Sequence, residues 1–279
     1  VVDHARRYQD FTYVYPVISR RSRGLSIGVN LNPDKQCNFD CVYCEVDRTT
    51  PGKARDVRLD QVRDELRWLI DHALNGGLGR EAKFSDAPPE VSRIVRDVAF
   101  SGDGEPTMVS NFDVCVEVVA EVLREKGLSE TKIVLITDSA GLDKVSVRRG
   151  LSLMDAHHGE VWAKLDAGTE EYYRHINRSS VRFDRILSNL LETARVRPIV
   201  IQSLFLKTHG QPMSSIELDA YCRRLNQIRD GGGTLREVHA YTLARPTPEA
   251  WATRLSAEEL SAVAETIRAQ TGLRVEEFP

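Results

Sequence analysis

Three cysteines fall within eight residues, Cys37-Asn38-Phe39-Asp40-Cys41-Val42-Tyr43-Cys44, spaced C-x3-C-x2-C directly after the apolar run Leu25 to Leu31. Three thiolates can hold three irons of a [4Fe-4S] cube and leave the fourth iron open, whereas ligation for electron transfer uses four cysteines. An open iron is a place for chemistry. Two blander readings compete. A structural zinc would add a histidine or a fourth cysteine, usually in a second close pair of ligands, and no further Cys-x2-Cys or Cys-x-His exists in this sequence. Three buried, unligated thiols are a poor account of a polar loop that follows a strand.

A second group of candidates is Gly102-Asp103-Gly104-Glu105, followed by Pro106-Thr107 and preceded by the apolar stretch Val95 to Ser101. Glycines let backbone approach a ligand closely, and a carboxylate can receive a cationic amine. Taken alone, the run also reads as an ordinary turn. Lys164 and Asp166 end another apolar run, where Asp166 could accept from a diol and Lys164 could pair with a carboxylate; a structural ion pair is the alternative. Asp138 and Ser139 are similar in kind. Gln202 has the alternation of an inward-facing strand residue. Lys207 with His209, His175, the His157-His158 pair, Tyr241 and Arg245-Pro246 are weaker candidates, since polar-loop histidines are mostly surface residues. The run Ser19-Arg20-Arg21-Ser22-Arg23-Gly24 could bind an anion or a phosphate backbone, or simply be solvated.

These residues need a scaffold, and the chain is long enough to bury a large core: 279 residues, 41% hydrophobic and 28% charged. No window approaches the ~18 uninterrupted apolar residues of a membrane span, so the expectation is a globular cytoplasmic protein without membrane contact. The start, Val1 to Arg7, has no apolar signal-peptide core, and the missing initiator Met suggests a processed start. Five cysteines, three of them clustered, suit a metal or cluster site in a reducing compartment better than a disulfide framework. Cys115 and Cys222 lie on apolar helix faces and read as small buried hydrophobes. A net charge of -3 exerts no global pull toward nucleic acid.

From Leu25 onward apolar runs alternate with amphipathic helical patterns, the signal for a parallel sheet. The expected strands are 26–31, 95–101, 132–137, 161–166, 199–206 and 236–243, with 13–18 as a leading strand or hairpin and 274–278 as a last one. Helices follow from Leu59, Val62, Leu66, Leu69 and Ala73; from Phe112, Cys115, Val119 and Val122; over 142–154 and 183–195; and after the Ser-x-x-Glu boxes at Ser214 and Ser256, the last burying Leu260, Val263 and Ile267. Residues 75–94 read as a loop, and 168–180 as a polar stretch. Six β/α units in about 220 residues fit an α/β partial (β/α)6 TIM-like barrel, with a doubly wound open sheet as the main rival. In either, function belongs at the carboxyl ends of strands, where the candidates fall. The expected organisation is an N-terminal extension over 1–24, a core over 25–248 and a C-terminal helix and strand over 249–279.

The cysteine loop resembles the radical S-adenosylmethionine (SAM) superfamily, with Cys37, Cys41 and Cys44 at its C-x3-C-x-φ-C positions and Tyr43 as the aromatic φ. The resemblance implies that the three cysteines bind a [4Fe-4S] cluster whose fourth iron is chelated by the amine and carboxylate of SAM, with Tyr43 near the adenine. It implies reductive cleavage of SAM to a 5'-deoxyadenosyl radical that abstracts hydrogen from a substrate. Gly102, Asp103, Gly104 and Glu105 look like the family's glycine-rich acidic turn for the SAM ammonium, Glu105 being the favoured carboxylate. By the same resemblance Asp138, Ser139, Lys164, Asp166 and Gln202 are cofactor contacts, and a low-potential donor such as flavodoxin or ferredoxin is a partner. The wording Cys-Asn-Phe-Asp-Cys-Val-Tyr-Cys, Ser-Gly-Asp-Gly-Glu-Pro-Thr, Lys-Leu-Asp-Ala-Gly and Tyr-Thr-Leu-Ala-Arg-Pro is similar to the wyosine-synthase-like branch, which makes a nucleoside in RNA the leading substrate. Radical modification of a peptide or small metabolite, and a non-catalytic iron-sulfur electron-transfer or sensor protein, are the alternatives. This chain lacks the further cysteines that hold a second cluster in wyosine-forming enzymes.

Overall fold

The computed structural model describes residues 6, 8–52, 56–84, 88–245 and 247–279, the side chains of residues 89 and 90 excepted. Pro246 and most of the expected processed start therefore lie outside the described residues. The chain divides into two compact units. The first comprises Val1–Gln36, Thr50–Ile136 and Asp143–Glu160, and the second Cys37–Thr49, Thr137–Leu142 and Val161–Pro279.

The first unit starts with β1 (Val14–Ser19), which pairs antiparallel with β2 (Gly24–Val29) in a hairpin register from Val14↔Val29 to Ser19↔Gly24. After α1 (Leu59–Leu74) and the short α2 (Pro89–Arg93) come β3 (Val95–Phe100), α3 (Phe112–Glu125), β4 (Lys132–Thr137) and α4 (Val145–Asp155). Strands β2, β3 and β4 are parallel neighbours. Every residue of β2 is buried, as expected of a strand covered on both faces; Leu25, Ile27 and Val29 alternate with Ser26, whose hydroxyl donates to Asp97, and Gly28. Helix α1 buries Val62, Leu66, Leu69, Ile70 and Ala73 on one stripe. It also buries Glu65, whose carboxylate accepts from the backbone N–H groups of Thr12 (2.9 Å), Tyr13 (2.8 Å) and Val14 (3.0 Å) and so fixes where β1 begins.

The second unit holds β5 (Glu160–Lys164), α5 (Glu170–Asn177), α6 (Phe183–Val196), β6 (Ile199–Leu204), β7 (Leu206–Thr208), α7 (Ser215–Asp230), β8 (Leu235–Tyr241), β9 (Ala252–Arg254), α8 (Ala257–Thr271) and β10 (Val275–Phe278). Strands β5, β6, β8 and β10 are parallel neighbours in that order, while β7 and β9 form a separate antiparallel pair. The register Lys164↔Gln202↔His239 sets these three side chains on one level of one sheet face.

The six expected β/α strands are present as β2, β3, β4, β5, β6 and β8. Local details differ. The expected strand 199–206 breaks at Phe205 into β6, paired with β8, and β7, which pairs instead with β9. The polar stretch 168–180 contains α5, capped by Thr169, whose side chain accepts from Tyr172 N at 3.2 Å. The box at Ser256 is complete and α8 ends on left-handed Gly272, although Ala264 is buried where Val263 was expected. The box at Ser214 is only half formed. Ser214 accepts from Glu217 N, but the Glu217 carboxylate turns away to accept from Gly168 N (2.6 Å), Thr169 N (3.0 Å) and Thr169 Oγ1 (2.6 Å), fastening the start of α5 to α7.

Candidate functional site

The cysteine loop belongs to the second unit, where it is docked on the end of α5. Asp40 N and Val42 N donate to the carbonyls of Asn177 (3.0 Å) and Ile176 (2.9 Å), and Ser179 Oγ donates to Asn38 O (3.0 Å). Val42 and Tyr43 drop into an apolar cluster with Ile176, Leu204, Leu206, Leu243 and Ala252. The alternation of buried apolar and half-buried cysteine positions therefore has a cause: the hydrophobic residues anchor the loop and hold Cys37, Cys41 and Cys44 at its partly exposed side.

Each of the three sulfurs faces an N–H donor of a different kind. Phe39 N lies 3.5 Å from Cys37 Sγ, Asn177 Nδ2 lies 3.5 Å from Cys41 Sγ, and Arg48 Nη2 lies 3.8 Å from Cys44 Sγ. N–H donors stabilise thiolate rather than thiol, so this environment fits sulfur that ligates iron. Burial pushes the uncomplexed Cys41 thiol up to about 11, partly offset by Lys164, so it is a metal that would make a thiolate of it. Cys115 and Cys222, wholly buried on α3 and α7, are pushed up by burial to about 12 and about 11.

Behind the loop lies a buried polar cluster. Asp166, just beyond β5, accepts four times: at Oδ1 from Leu204 N (2.9 Å) and Lys164 Nζ (3.5 Å), and at Oδ2 from Asn177 Nδ2 (2.7 Å) and the Tyr43 hydroxyl. Lys164 Nζ also donates to Tyr241 Oη at 2.7 Å and sits 4.9 Å from the centre of the Tyr43 ring. Burial opposes its charge most strongly, but Asp166, Tyr241 and Cys41 together outweigh burial, and Lys164 stays cationic with a raised pKa. Burial and then Asp166 hold the Tyr43 phenol far above its ordinary value, so it donates and does not ionise.

Asp138, after β4, accepts from Ala140 N (2.8 Å) and lies 3.8 Å from Cys37 Sγ. Ser139 takes a left-handed φ of 73°, held by Asn189 Nδ2 on its carbonyl (2.9 Å) and by its own hydroxyl on Lys164 O (3.2 Å). Gln202 is 3% exposed and its Nε2 has no hydrogen-bond partner among the described residues, a donor of the kind a ligand would satisfy.

The glycine turn lies in the first unit. Gly102 packs against Asn30 and Gly104 against the Gln36 backbone: a Cβ added at Gly104 would stand 2.0 Å from Gln36 O, which already accepts from Glu105 N at 2.8 Å. Asp103 accepts from Asn30 Nδ2 at 2.8 Å, and Glu105 Oε1 accepts from Thr107 N (3.0 Å) and Thr107 Oγ1 (2.5 Å). Both glycines are thus required by close packing of protein on protein.

Among the weaker candidates, Lys207 pairs with Glu259 (2.8 Å) and Arg245 with Glu45 (2.6 Å), while His175 and His209 stack on Trp251 at ring separations of 5.2 and 5.1 Å. His158 pairs with Glu130 at 3.4 Å.

No family model matches the sequence. A curated relative named GTPase Obg, from Brachyspira hyodysenteriae, is 24% identical over 94% of this chain and 34% of its own length. A UPF0026 protein of Methanocaldococcus jannaschii is 30% identical over 63% of this chain and 46% of its own length. The chain thus spans between a third and a half of these two relatives. It has no Gly-x4-Gly-Lys-Ser/Thr run for GTP phosphates. Among solved structures, a radical SAM methyltransferase from Sphaerobacter thermophilus superposes with a TM-score of 0.65 at 14% identity, covering 95% of this chain and 68% of that one. This chain has the fold of the radical SAM enzymes. SuiB from Streptococcus suis, solved bound to S-adenosylmethionine, has a TM-score of 0.59 at 12% identity over 93% of this chain and 52% of its own. TYW1, solved with a lysine-pyruvate adduct, has 0.56 at 15% over 91% and 75%. The α/β partial TIM barrel expected from the alternating pattern is the architecture these neighbours share, and the resemblance to radical SAM proteins extends to TYW1.

Two residues at the loop were not legible in the sequence. Asn177 touches Cys41, Tyr43 and Asp166 at once, yet in sequence it is one polar residue in a polar stretch. Arg48 follows the motif by four positions and carried no signal beyond its proximity.

Proposed function

We propose that this chain is a radical SAM enzyme in which Cys37, Cys41 and Cys44 hold a [4Fe-4S] cluster. The observation that carries the reading is the set of three half-buried thiols on one loop, each facing an N–H donor, with the loop locked from behind by Asp166. When bound, the cluster supplies the electron that cleaves the sulfonium carbon–sulfur bond of SAM, giving methionine and a 5'-deoxyadenosyl radical that takes hydrogen from the substrate.

The protein's own work is positional. Tyr43, fixed by its hydroxyl, is assigned to the adenine, and Gln202 Nε2 would offer its unsatisfied donor to the cofactor. Lys164 is assigned to the SAM carboxylate and to the ion pair with Asp166. Asp166 is assigned a supporting role in addition to any ribose contact, because four protein donors already address it. Asp138 and Ser139 are the remaining proposed contacts at the loop, and Gly102 to Glu105 are assigned to the SAM ammonium by likeness of sequence. Residues 25–248 are the proposed catalytic core, and a flavodoxin or ferredoxin is the proposed donor. A nucleoside in RNA is the proposed substrate, supported by the likeness of the cysteine loop and of Ser101 to Thr107 to the wyosine-synthase-like branch.

Anaerobic reconstitution with iron and sulfide, then dithionite and SAM, should yield 5'-deoxyadenosine. A fully loaded protein that forms none, and whose cluster spectrum SAM leaves unchanged, would instead be an electron carrier or sensor. Stoichiometric zinc in protein purified without oxygen would replace both readings.

A further inference from the structure

The donors on the three sulfurs are not equivalent. Phe39 N and the Asn177 amide are neutral, whereas Arg48 brings a full positive charge to Cys44 Sγ at 3.8 Å. Cys37 is the second thiol that acts on the same guanidinium, so two of the three thiols share it. A guanidinium can do this because its donors are arranged in a rigid planar fork, while an ammonium is a single point of charge. Arg48 is half-buried, where charges are screened less than at the surface.

We infer that Arg48 is a positioning residue that tunes the iron-sulfur group: its guanidinium, set against Cys44 and Cys37, stabilises the more negative, reduced state and raises the reduction potential. The inference rests on the proposed cluster reading. The charges facing the loop from other elements make Arg48 the tuning group on this side. Asp138 lies 3.8 Å from Cys37 and opposes it, Lys164 acts near Cys41 but is paired with Asp166, and Arg245 is paired with Glu45. Reduction adds one electron to the group, and a fixed cation 3.8 Å from Cys44 Sγ interacts more strongly with the product than with the starting state.

The test is a dithionite titration, with redox mediators and followed by electron paramagnetic resonance, of anaerobically reconstituted wild type, Arg48→Lys, Arg48→Gln and Arg48→Ala. At the wild-type midpoint, the ratio of reduced to oxidised cluster should fall on the order of tenfold in Arg48→Gln and Arg48→Ala. Arg48→Lys, which keeps the charge, should recover most of that shift. A fully iron-loaded Arg48→Gln with an unchanged midpoint overturns the inference, as does Arg48→Lys shifting as far as Arg48→Gln. Failure of all three variants to load, with native circular dichroism and a loading wild type, also overturns it, since Arg48 would then be an assembly residue. A wild type that takes up no iron and sulfide instead defeats the cluster reading itself, so the two failures are told apart.

Discussion

The Tyr43 hydroxyl donates to Asp166 Oδ2 across 123 residues of sequence, and both groups are buried. This bond ties the residue before the third cysteine to the end of β5. Asp166 binds Asn177 through the same oxygen, and Asn177 in turn reaches Cys41 Sγ at 3.5 Å. One carboxylate thus sets the position of the aromatic residue and, through Asn177, of a cysteine.

Removing either end of that bond should loosen the loop unequally. Tyr43→Phe leaves Asp166 with three donors, and the expected loss of stability is about 1.5–3 kcal/mol, the value of a hydrogen bond to a charged group. Asp166→Ala leaves the half-buried Lys164 without its anion and orphans Leu204 N, so the expected loss is about 3–5 kcal/mol. Urea denaturation of the cluster-free proteins measures both. The double variant should lose less than the sum, because the two residues share the bond.

The glycine turn makes a prediction about packing. In Gly104→Ala the new methyl meets Gln36 O at 2.0 Å and Asn32 Cβ at 2.7 Å, and the backbone must move. Overpacking of this kind costs about 1–3 kcal/mol. Gly127→Ala is the control: its site is open but its φ is +68°, so only the left-handed strain of about 1–2 kcal/mol applies. Thermal denaturation compares stability, and binding of SAM to loaded protein separates the two. Gly104→Ala should weaken SAM binding if the turn receives the ammonium, while Gly127→Ala should leave it unchanged.

Iron content should follow the cysteines of the loop. Cys37→Ala, Cys41→Ala and Cys44→Ala should each abolish cluster assembly, measured as iron and sulfide per chain after anaerobic reconstitution. Cys115→Ala and Cys222→Ala should retain full iron. Loss of iron in either of those would reveal a fourth ligand and remove the open iron on which SAM chelation depends.

The parts of this molecule legible in sequence are those governed by short-range periodicity. Apolar runs gave β2 through β8 of the parallel set, and the three-and-four spacing of Val62, Leu66, Leu69 and Ala73 gave α1. The cysteine spacing marked the loop for the same reason, since ligand geometry is local. What could not be read is who bonds to whom over long separations. Glu217 matches a capping box locally, yet its carboxylate holds residues 168–169, because burial there gave it three better-placed donors. Asp166 reads as a ligand contact, while its four donors come from β5, the loop, α5 and β6. Helix α5 is eight residues of mostly polar sequence and needs Thr169 and Glu217 to start it, so periodicity alone passed over it.

Thiol reactivity offers a last prediction, with its order set by burial. In cluster-free protein at pH 8, iodoacetamide should label the three half-buried loop cysteines before the two buried ones. Cys41 should be slow, since its thiol is pushed up to about 11 by burial and only the thiolate reacts. Cys222 and Cys115, with thiols pushed up to about 11 and about 12 by burial, should resist labelling until urea unfolds the chain. The sign is fixed: a raised thiol pKa means less thiolate at any pH below it, so raising the pH from 8 to 9 increases the thiolate fraction about tenfold yet leaves it a small minority. Peptide mass spectrometry reads the order, and prompt labelling of Cys115 or Cys222 in folded protein would contradict it. Anaerobic reconstitution before labelling should protect Cys37, Cys41 and Cys44 together, because ligation to one iron-sulfur group removes all three thiolates from solution at once.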